Sequence, residues 1–166
     1  MWVFICTFIV STPRNLTEFF MKNIFNKSVT DEIIGRIDSL TPTTTPQWGK
    51  MDVGQMLAHC SITYEMMYDD NHKKPNAVMG FMLRMFVKDT VVSEKPYKKN
   101  SRTAPAFMIT DERNFETEKK RLIDYMLKTQ ALGEAHFDNK ESHSFGKLTV
   151  TEWNNRFYKH LDHHLT

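Results

Sequence analysis

Apolar residues in this chain recur at intervals of three and four positions, which is the period of an α-helix. Four long segments carry the pattern, at about 28–40, 52–68, 111–132 and 149–165, and a shorter one lies at about 77–90. No convincing run of alternating apolar and polar residues predicts a strand. The pattern therefore predicts an all-α protein, a four-helix bundle with an additional short helix.

Residues that cap helices predict where these segments begin. Asp52 with Gln55, and Thr149 with Glu152, have the spacing of a capping box, in which each side chain bonds the other residue's backbone N–H. Ser28 is predicted to cap the first helix. These signals predict the starts of the first, second and last main helices.

Composition describes an ordinary globular domain. The chain has 166 residues, of which 40% are hydrophobic and 25% charged, and its net charge is only +2, so nothing in the balance indicates nucleic-acid binding. Its two cysteines, Cys6 and Cys60, lie far apart and match no disulfide or CxxC pattern, which favours a reducing, cytoplasmic setting. We interpret Cys60 as a small core residue.

The first twenty residues differ from the rest. The apolar run at 2–10 is shorter than the roughly 20 residues that span a bilayer. No basic residue precedes it and no clear cleavage site follows, so the signal for a leader peptide is weak. We predict a helical domain at residues 21–166, with 1–20 as an N-terminal extension, and we expect no membrane partner.

The last helix carries a histidine pair. His160 and His164 are four apart and so share one helix face, together with Trp153 and Phe157, whereas His163 is predicted to turn toward solvent. Two histidines on an apolar face need polar partners. A single metal ion would satisfy both, and hydrogen bonds to backbone or water are the alternative.

A zinc-peptidase motif is absent from this pair. Leu161, not glutamate, follows His160, and Asp162 is predicted to point to the opposite face of the helix. The pattern therefore argues against peptidase chemistry.

His59 is the third candidate, at the flank of the apolar stripe of the second main helix. Gln55, one turn earlier, is the predicted hydrogen-bond partner of its ring. A third imidazole facing the pair would complete a three-nitrogen site with an open position, the arrangement of catalytic metal centres. Taken by itself, His59 is interpreted as an ordinary flanking residue of the helix. His143 is predicted to form local hydrogen bonds, and His72 and His136 to be exposed without partners.

A basic stretch at 95–102 is the candidate anion-binding segment. Lys98, Lys99 and Arg102 could contact a carboxylate or phosphate of a substrate or cofactor, with Tyr97 as a stacking surface. A solvated loop is the favoured interpretation, because runs of charge usually face water.

Three segments of the chain together resemble a known family. They are TPQWGKM with QMLAHC (45–51 and 55–60), KKNS with TAPAF (98–101 and 103–107), and FGKLT with HLDHH (145–149 and 160–164). In this order they resemble the DinB-like superfamily of four-helix-bundle metalloenzymes, in a branch described only as a domain of unknown function. The resemblance extends from about Met21 to the C-terminus.

The resemblance implies a ligand set and a chemistry. The superfamily places one ligand histidine on the second helix and an HxxxH pair on the last, positions that match His59, His160 and His164. Relatives include transferases that use low-molecular-weight thiols such as bacillithiol, mycothiol or glutathione. We therefore expect a divalent metal, zinc or nickel, a thiol co-substrate, and S-transfer to a small molecule, with no general base identified. A metal-dependent hydrolase and a non-catalytic metal- or small-molecule-binding bundle are the alternatives, and a homodimer is a candidate assembly.

Overall fold

The computed structural model describes residues 21–101 and 103–166, and the predicted extension at 1–20 and the candidate residue Arg102 lie outside these ranges. The helices are α1 (Lys27–Asp38), α2 (Val53–Tyr68), α3 (Ala77–Phe86), α4 (Lys88–Val92), α5 (Phe115–Leu132), α6 (Glu134–Phe137) and α7 (Val150–His164), with a 3-10 turn at Pro105–Phe107. Strands β1 (Lys140–Ser142) and β2 (Gly146–Leu148) form an antiparallel hairpin. The described chain is predominantly helical, which confirms the all-α prediction at that level.

Both predicted capping boxes are present, and they begin the two helices that later meet at the histidines. Asp52 Oδ1 accepts from Gln55 N at 2.8 Å, and Gln55 Oε1 accepts from Asp52 N at 3.1 Å. At α7, Thr149 Oγ1 accepts from Glu152 N at 3.2 Å, and Glu152 Oε2 accepts from Thr149 N at 2.9 Å. These bonds satisfy backbone N–H groups that have no partner within the helix.

Three other helix ends differ from the sequence prediction. Helix α1 begins after Asn26 with no side-chain cap, and Ser28 lies inside its first turn, so the predicted Ser28 cap is wrong. The helix predicted at about 77–90 is interrupted at Val87, which separates α3 from α4. Helix α5 begins at Phe115, not at 111, because the Asn114 side chain accepts from Thr117 N at 2.9 Å and caps it there.

The core lies between α1, α2, α5 and α7. Helix α2 packs against both α5 and α7, α1 packs against α5, and the short elements α4, α6 and β2 lie on α7. The largest fully buried apolar side chains come from these elements and from the segment before α1: Ile24, Ile33, Ile37, Leu57, Tyr64, Leu122, Met126, Phe137, Leu148, Trp153 and Phe157. Cys60 is also fully buried, and burial raises the pKa of its thiol, so it is a core residue as predicted.

The β-hairpin before α7 was not predicted. Each strand has only three residues, too few to show an alternating pattern. Ser142 Oγ accepts from Phe145 N at 2.9 Å and donates to Gly146 O at 2.8 Å, and Gly146 has a φ of 74°, a conformation that glycine adopts at little cost. The hairpin sets the direction in which the chain enters α7.

A close backbone approach places the segment before α5 against the start of α2. A Cβ atom at Gly54 would lie 2.7 Å from the carbonyl oxygen of Arg113. Gln55 Nε2 donates to Asp111 O at 3.2 Å one residue further along α2. Glycine at position 54 therefore lets this segment run beside α2, directly upstream of His59.

The C-terminal turn of α7 is tied to α1. Arg36 Nη1 donates to Asp162 Oδ1 at 2.7 Å, and both side chains are partly buried. Asp162 thus points away from the face of His160, as predicted. No helix in the described ranges is long and apolar enough to cross a bilayer.

Candidate metal centre

Three imidazoles meet where the middle of α2 faces the last two turns of α7. His59, His160 and His164 each offer a ring nitrogen, and these nitrogens all lie within 4.8 Å of one another. The Nε2 atoms of His59 and His160 are 2.9 Å apart, and the His164 ring centre lies 4.6 Å from that of His59 and 5.0 Å from that of His160. The structure brings together the three histidines that the sequence proposed as ligands.

The His59 ring is oriented by the main chain of the 3-10 turn. Its Nδ1 donates to the carbonyl oxygen of Phe107 at 2.8 Å, and the Phe107 ring contacts it edge-on with 5.5 Å between ring centres. Because a carbonyl only accepts, Nδ1 carries the proton, and Nε2 of the neutral ring presents a lone pair to the other histidines. Gln55 bonds Asp52 and Asp111 instead, so the predicted Gln55 contact with His59 is wrong.

The His160 ring is held by a threonine hydroxyl. Its Nδ1 lies 2.9 Å from Oγ1 of Thr63, one turn after His59 on α2. Since His59 Nε2 is an acceptor, the 2.9 Å contact between the two Nε2 atoms requires a proton on His160 Nε2. Thr63 then donates to Nδ1. A cation between the rings would replace that proton, and Nδ1–H would donate to Thr63 instead, since a hydroxyl can take either role.

Burial keeps all three imidazoles neutral. It lowers the pKa of His59, lowers that of His160 well below its usual value, and lowers that of His164 to about 3, with the neighbouring imidazoles adding to the effect at His160 and His164. Neutral imidazole is the form that binds metal ions, so near pH 7 the cluster is ready to coordinate without first losing protons.

The donor set fits a divalent ion that prefers nitrogen. Tetrahedral coordination at about 2.0–2.1 Å places neighbouring nitrogens roughly 3.4 Å apart. Here the His59–His160 separation is 2.9 Å and no separation exceeds 4.8 Å, so small ring rotations would bring the three nitrogens to that spacing. Zinc and nickel both accept imidazole ligands. Three protein ligands leave a coordination position for a small molecule.

His163 lies outside the cluster. The sequence predicts that its side chain turns toward solvent, and this prediction is wrong. Its ring lies 5.6 Å from that of Tyr97, 5.7 Å from that of Trp48 and 5.0 Å from that of His164, measured between ring centres. The side chain is half-buried. The prediction used the helix period alone and missed the aromatic loop residues that cover this side of α7.

The basic stretch lies beside the same aromatic surface. The Lys99 ammonium is 4.2 Å from the centre of the Trp48 ring, and its charge contributes to a lowered pKa at His163, which is caused mainly by burial. Tyr97 is 6.4 Å from His160 between ring centres, and burial raises its pKa to about 12, so it remains a phenol. Lys98 is exposed. Of the three predicted anion contacts, Lys99 thus lies against Trp48, on the side of α7 that carries His163.

Comparison with known proteins identifies the family. A family profile described as "Protein of unknown function (DUF1569)" matches residues 24–166, which include the three histidines and every helix described above. The chain belongs to the DUF1569 family. Comparisons with curated proteins and with solved structures found no match.

Sequence reasoning missed two residues of this DUF1569 centre, Thr63 and Phe107. Thr63 follows His59 by four positions, so the spacing that predicted the His160/His164 pair could also have placed its hydroxyl on the same face of α2. Phe107 bonds His59 through its backbone carbonyl, a group that every residue has, so its identity gave no signal.

The remaining histidines of the DUF1569 domain lie elsewhere. His143 Nδ1 lies 2.8 Å from Oγ of the adjacent Ser144, a local contact of the kind predicted, and its Nε2 donates to His72 O at 3.1 Å, a contact between distant parts of the chain. His72 was expected to lack partners, but its Nε2 lies 2.7 Å from Glu65 Oε2, and Glu65 also accepts from Arg121. His136 is exposed and lies 2.7 Å from the Lys140 ammonium.

Proposed function

We propose that this DUF1569 protein is a metal-dependent enzyme whose divalent ion, zinc or nickel, is held by His59, His160 and His164. The observation that carries the proposal is the convergence of three neutral imidazoles, two of which have their outer nitrogens engaged by Phe107 O and Thr63 Oγ1. Such outer hydrogen bonds fix the ring orientation and tautomer of metal-ligating histidines. A merely structural histidine cluster would not require three nitrogens to face one point.

The reaction we propose is transfer of a low-molecular-weight thiol to an electrophilic small molecule, as in relatives within the DinB-like four-helix-bundle superfamily. A divalent ion with an open position would stabilise the thiol as thiolate near neutral pH. The thiol proton would pass to solvent as the thiolate forms, and the sulfur would bond the electrophilic carbon. The bond to the leaving group would break, with its electron pair going to that group or, in an epoxide, to the ring oxygen, which would then take up a proton. A cytoplasmic location would supply the reduced thiol.

Residues around the histidines would position the reactants. Tyr97 and Phe107 provide aromatic surfaces beside His160, and Trp48 provides another beside the neighbouring His163. These surfaces would exclude water and contact an apolar substrate. The Lys99 ammonium would pair with a carboxylate of the thiol co-substrate. Lys98, exposed on the same loop, would contribute charge at longer range.

Elemental analysis of purified protein tests the metal centre. We expect one equivalent of a divalent metal in the wild type and a sharp loss in His160→Ala, because one of three ligands is removed. His163→Ala is the matched control, since its ring lies next to that of His164 but outside the cluster. Unchanged metal in His160→Ala, or an equal loss in His163→Ala, would contradict the ligand assignment.

Activity assays separate the proposed transferase from its alternatives. Consumption of glutathione or bacillithiol with a chloro-aromatic or epoxide acceptor, dependent on His59, supports the transferase. Ester or amide turnover without thiol would identify a hydrolase in which the same ion activates water. Stoichiometric metal with no turnover in either assay would leave a non-catalytic binding protein.

A further inference from the structure

Helix α3 presents an unusual apolar surface. Seven of the ten large hydrophobic side chains that are exposed in the described residues lie within or directly after this helix. They are Val78 (74% exposed), Met79 (53%), Phe81 (54%), Met82 (46%), Met85 (60%), Phe86 (67%) and Val87 (37%). Exposed apolar side chains are normal when scattered, but a contiguous group marks an interaction surface.

The exposed residues of α3 form one continuous stripe. At about 100° per residue, Phe81, Met85, Val78, Met82, Phe86 and Met79 follow one another around roughly 160° of the helix. Gly80, the one buried residue of α3, lies opposite the centre of that stripe. Val78, Met82 and Met85 have the i, i+4, i+7 spacing by which helices pack on one another. Val87, at the end of the helix, lies outside this stripe, and we call the other six residues the α3 face.

The size of the α3 face approaches that of one half of a standard protein interface. Large apolar side chains that are about half exposed present roughly 100 Å² each, so six present about 600 Å². The largest apolar patch on a typical monomer is about 300–600 Å². A standard interface takes about 800 Å² from each partner.

The charges around α3 are arranged for pairing with a second copy. Lys73 and Lys74 precede the helix and are exposed. After it, Lys88 pairs with Glu152 of its own chain at 2.8 Å, and the next residue, Asp89, is exposed. Arg84, the only charged residue within α3, lies beside Gly146 of its own chain. If two copies pack antiparallel across a two-fold axis, the lysines of each approach Asp89 of the other, and no charge enters the apolar contact.

We infer that the α3 face is the interface of a homodimer, formed by antiparallel packing of α3 on its symmetry mate with Met82 near the two-fold axis. The dimer does not depend on metal binding, because no residue of the α3 face belongs to the histidine cluster. Its contact is isologous, so each copy contributes the same six residues and the assembly closes at two chains.

Sedimentation equilibrium of the full chain over a range of concentrations tests the dimer. We expect a dimeric mass for the wild type and a dissociation constant raised about tenfold or more in Met85→Glu, which places a charge in the apolar contact. Met108→Glu is the matched control, since Met108 is 59% exposed, close to the 60% of Met85, and lies outside α3. Equal weakening by both changes would overturn the assignment. Circular dichroism of each variant checks that both remain folded.

Cross-linking tests the geometry. In a Cys6→Ser background, Met82→Cys should form an intermolecular disulfide under mild oxidation, whereas Met108→Cys should not. A wild type that is monomeric at all concentrations would overturn the dimer. Two further measurements would then identify what covers the α3 face. Dimerisation only after deletion of residues 1–20 would assign the α3 face to that segment. Co-sedimentation of the monomer with vesicles of phosphatidylcholine and phosphatidylglycerol would assign it to a lipid surface.

Discussion

Replacing Thr63 by valine should weaken divalent-metal binding about ten- to 100-fold while leaving the three ligands in place. Thr63 is only 3% exposed, and its hydroxyl lies 2.9 Å from Nδ1 of His160. Valine has nearly the same shape, so the change removes the hydroxyl without opening a cavity. Any change in metal affinity therefore reports the loss of this hydrogen bond, because all three ligand histidines are still present.

The magnitude follows from comparing the two states of the centre. Without metal, Thr63 donates to a neutral ring nitrogen, and valine removes one ordinary hydrogen bond worth about 1 kcal/mol. With metal bound, His160 Nδ1–H donates to the hydroxyl from a ring polarised by the cation, and such charge-assisted bonds are about twice as strong. Leaving that polarised donor buried without a partner brings the loss in the metal-bound state to about 3 kcal/mol, the upper end for a hydrogen bond to a charged group. The difference of about 2 kcal/mol between the two states corresponds to about 30-fold in Kd, within the ten- to 100-fold range.

Isothermal titration with Zn²⁺, in competition with a chelator of known affinity, measures this change. Thr63→Ser is the control because it keeps a hydroxyl at the same position, and its Kd should remain within a few-fold of wild type. Binding by Thr63→Val equal to that of wild type would refute the proposed exchange of the His160 proton. Equal losses in Thr63→Val and Thr63→Ser would show that packing, not the hydrogen bond, is responsible.

Three other predictions concern stability. The free energy of unfolding of the metal-free protein should fall as the pH falls below about 6.5, because the imidazoles bind protons in the unfolded chain and, being buried, do not bind them in the folded chain. In urea unfolding, His164→Asn should reduce the slope of this free energy against pH by up to about 1 kcal/mol per pH unit, and an identical slope would contradict the lowered pKa of His164. Gly54→Ala should destabilise the fold by about 1–3 kcal/mol, because its Cβ would lie 2.7 Å from Arg113 O, whereas Gly35→Ala, with nothing within 4 Å, should be neutral or stabilising in the same thermal melts. Deletion of residues 1–20 should leave a helical protein that binds metal, and a melting temperature lowered by more than a few degrees would show that this segment contributes to the core.

Local signals explain which parts of the fold could be predicted. The capping boxes at Asp52 and Thr149 involve residues three apart in sequence, so their side-chain chemistry is enough to place the starts of α2 and α7. The break at Val87 has no proline or glycine to mark it. The hairpin at 140–148 depends on three residue pairs, which is too short for periodicity to reveal.

In the candidate site, too, local sequence predicts some features and tertiary packing decides the others. His160 and His164 follow from helix spacing alone, and His59 joined them through the family resemblance, because no local pattern states which helix faces which. The environment of His163 depended on Trp48 and Tyr97, which come from loops more than 60 residues away along the chain. Contacts across such separations depend on tertiary packing and leave no periodic trace in the sequence.

The hydrogen bond from His59 to the Phe107 carbonyl makes access and ligand chemistry inseparable in this protein. The 3-10 turn at Pro105–Phe107 contributes both the carbonyl that fixes the His59 proton on Nδ1 and the aromatic ring that packs on His59 and His160. Any outward movement of the turn that widens the approach to the histidines also releases the His59 ring to rotate and to change tautomer. The position of the turn and the orientation of the His59 ring are therefore coupled through one hydrogen bond.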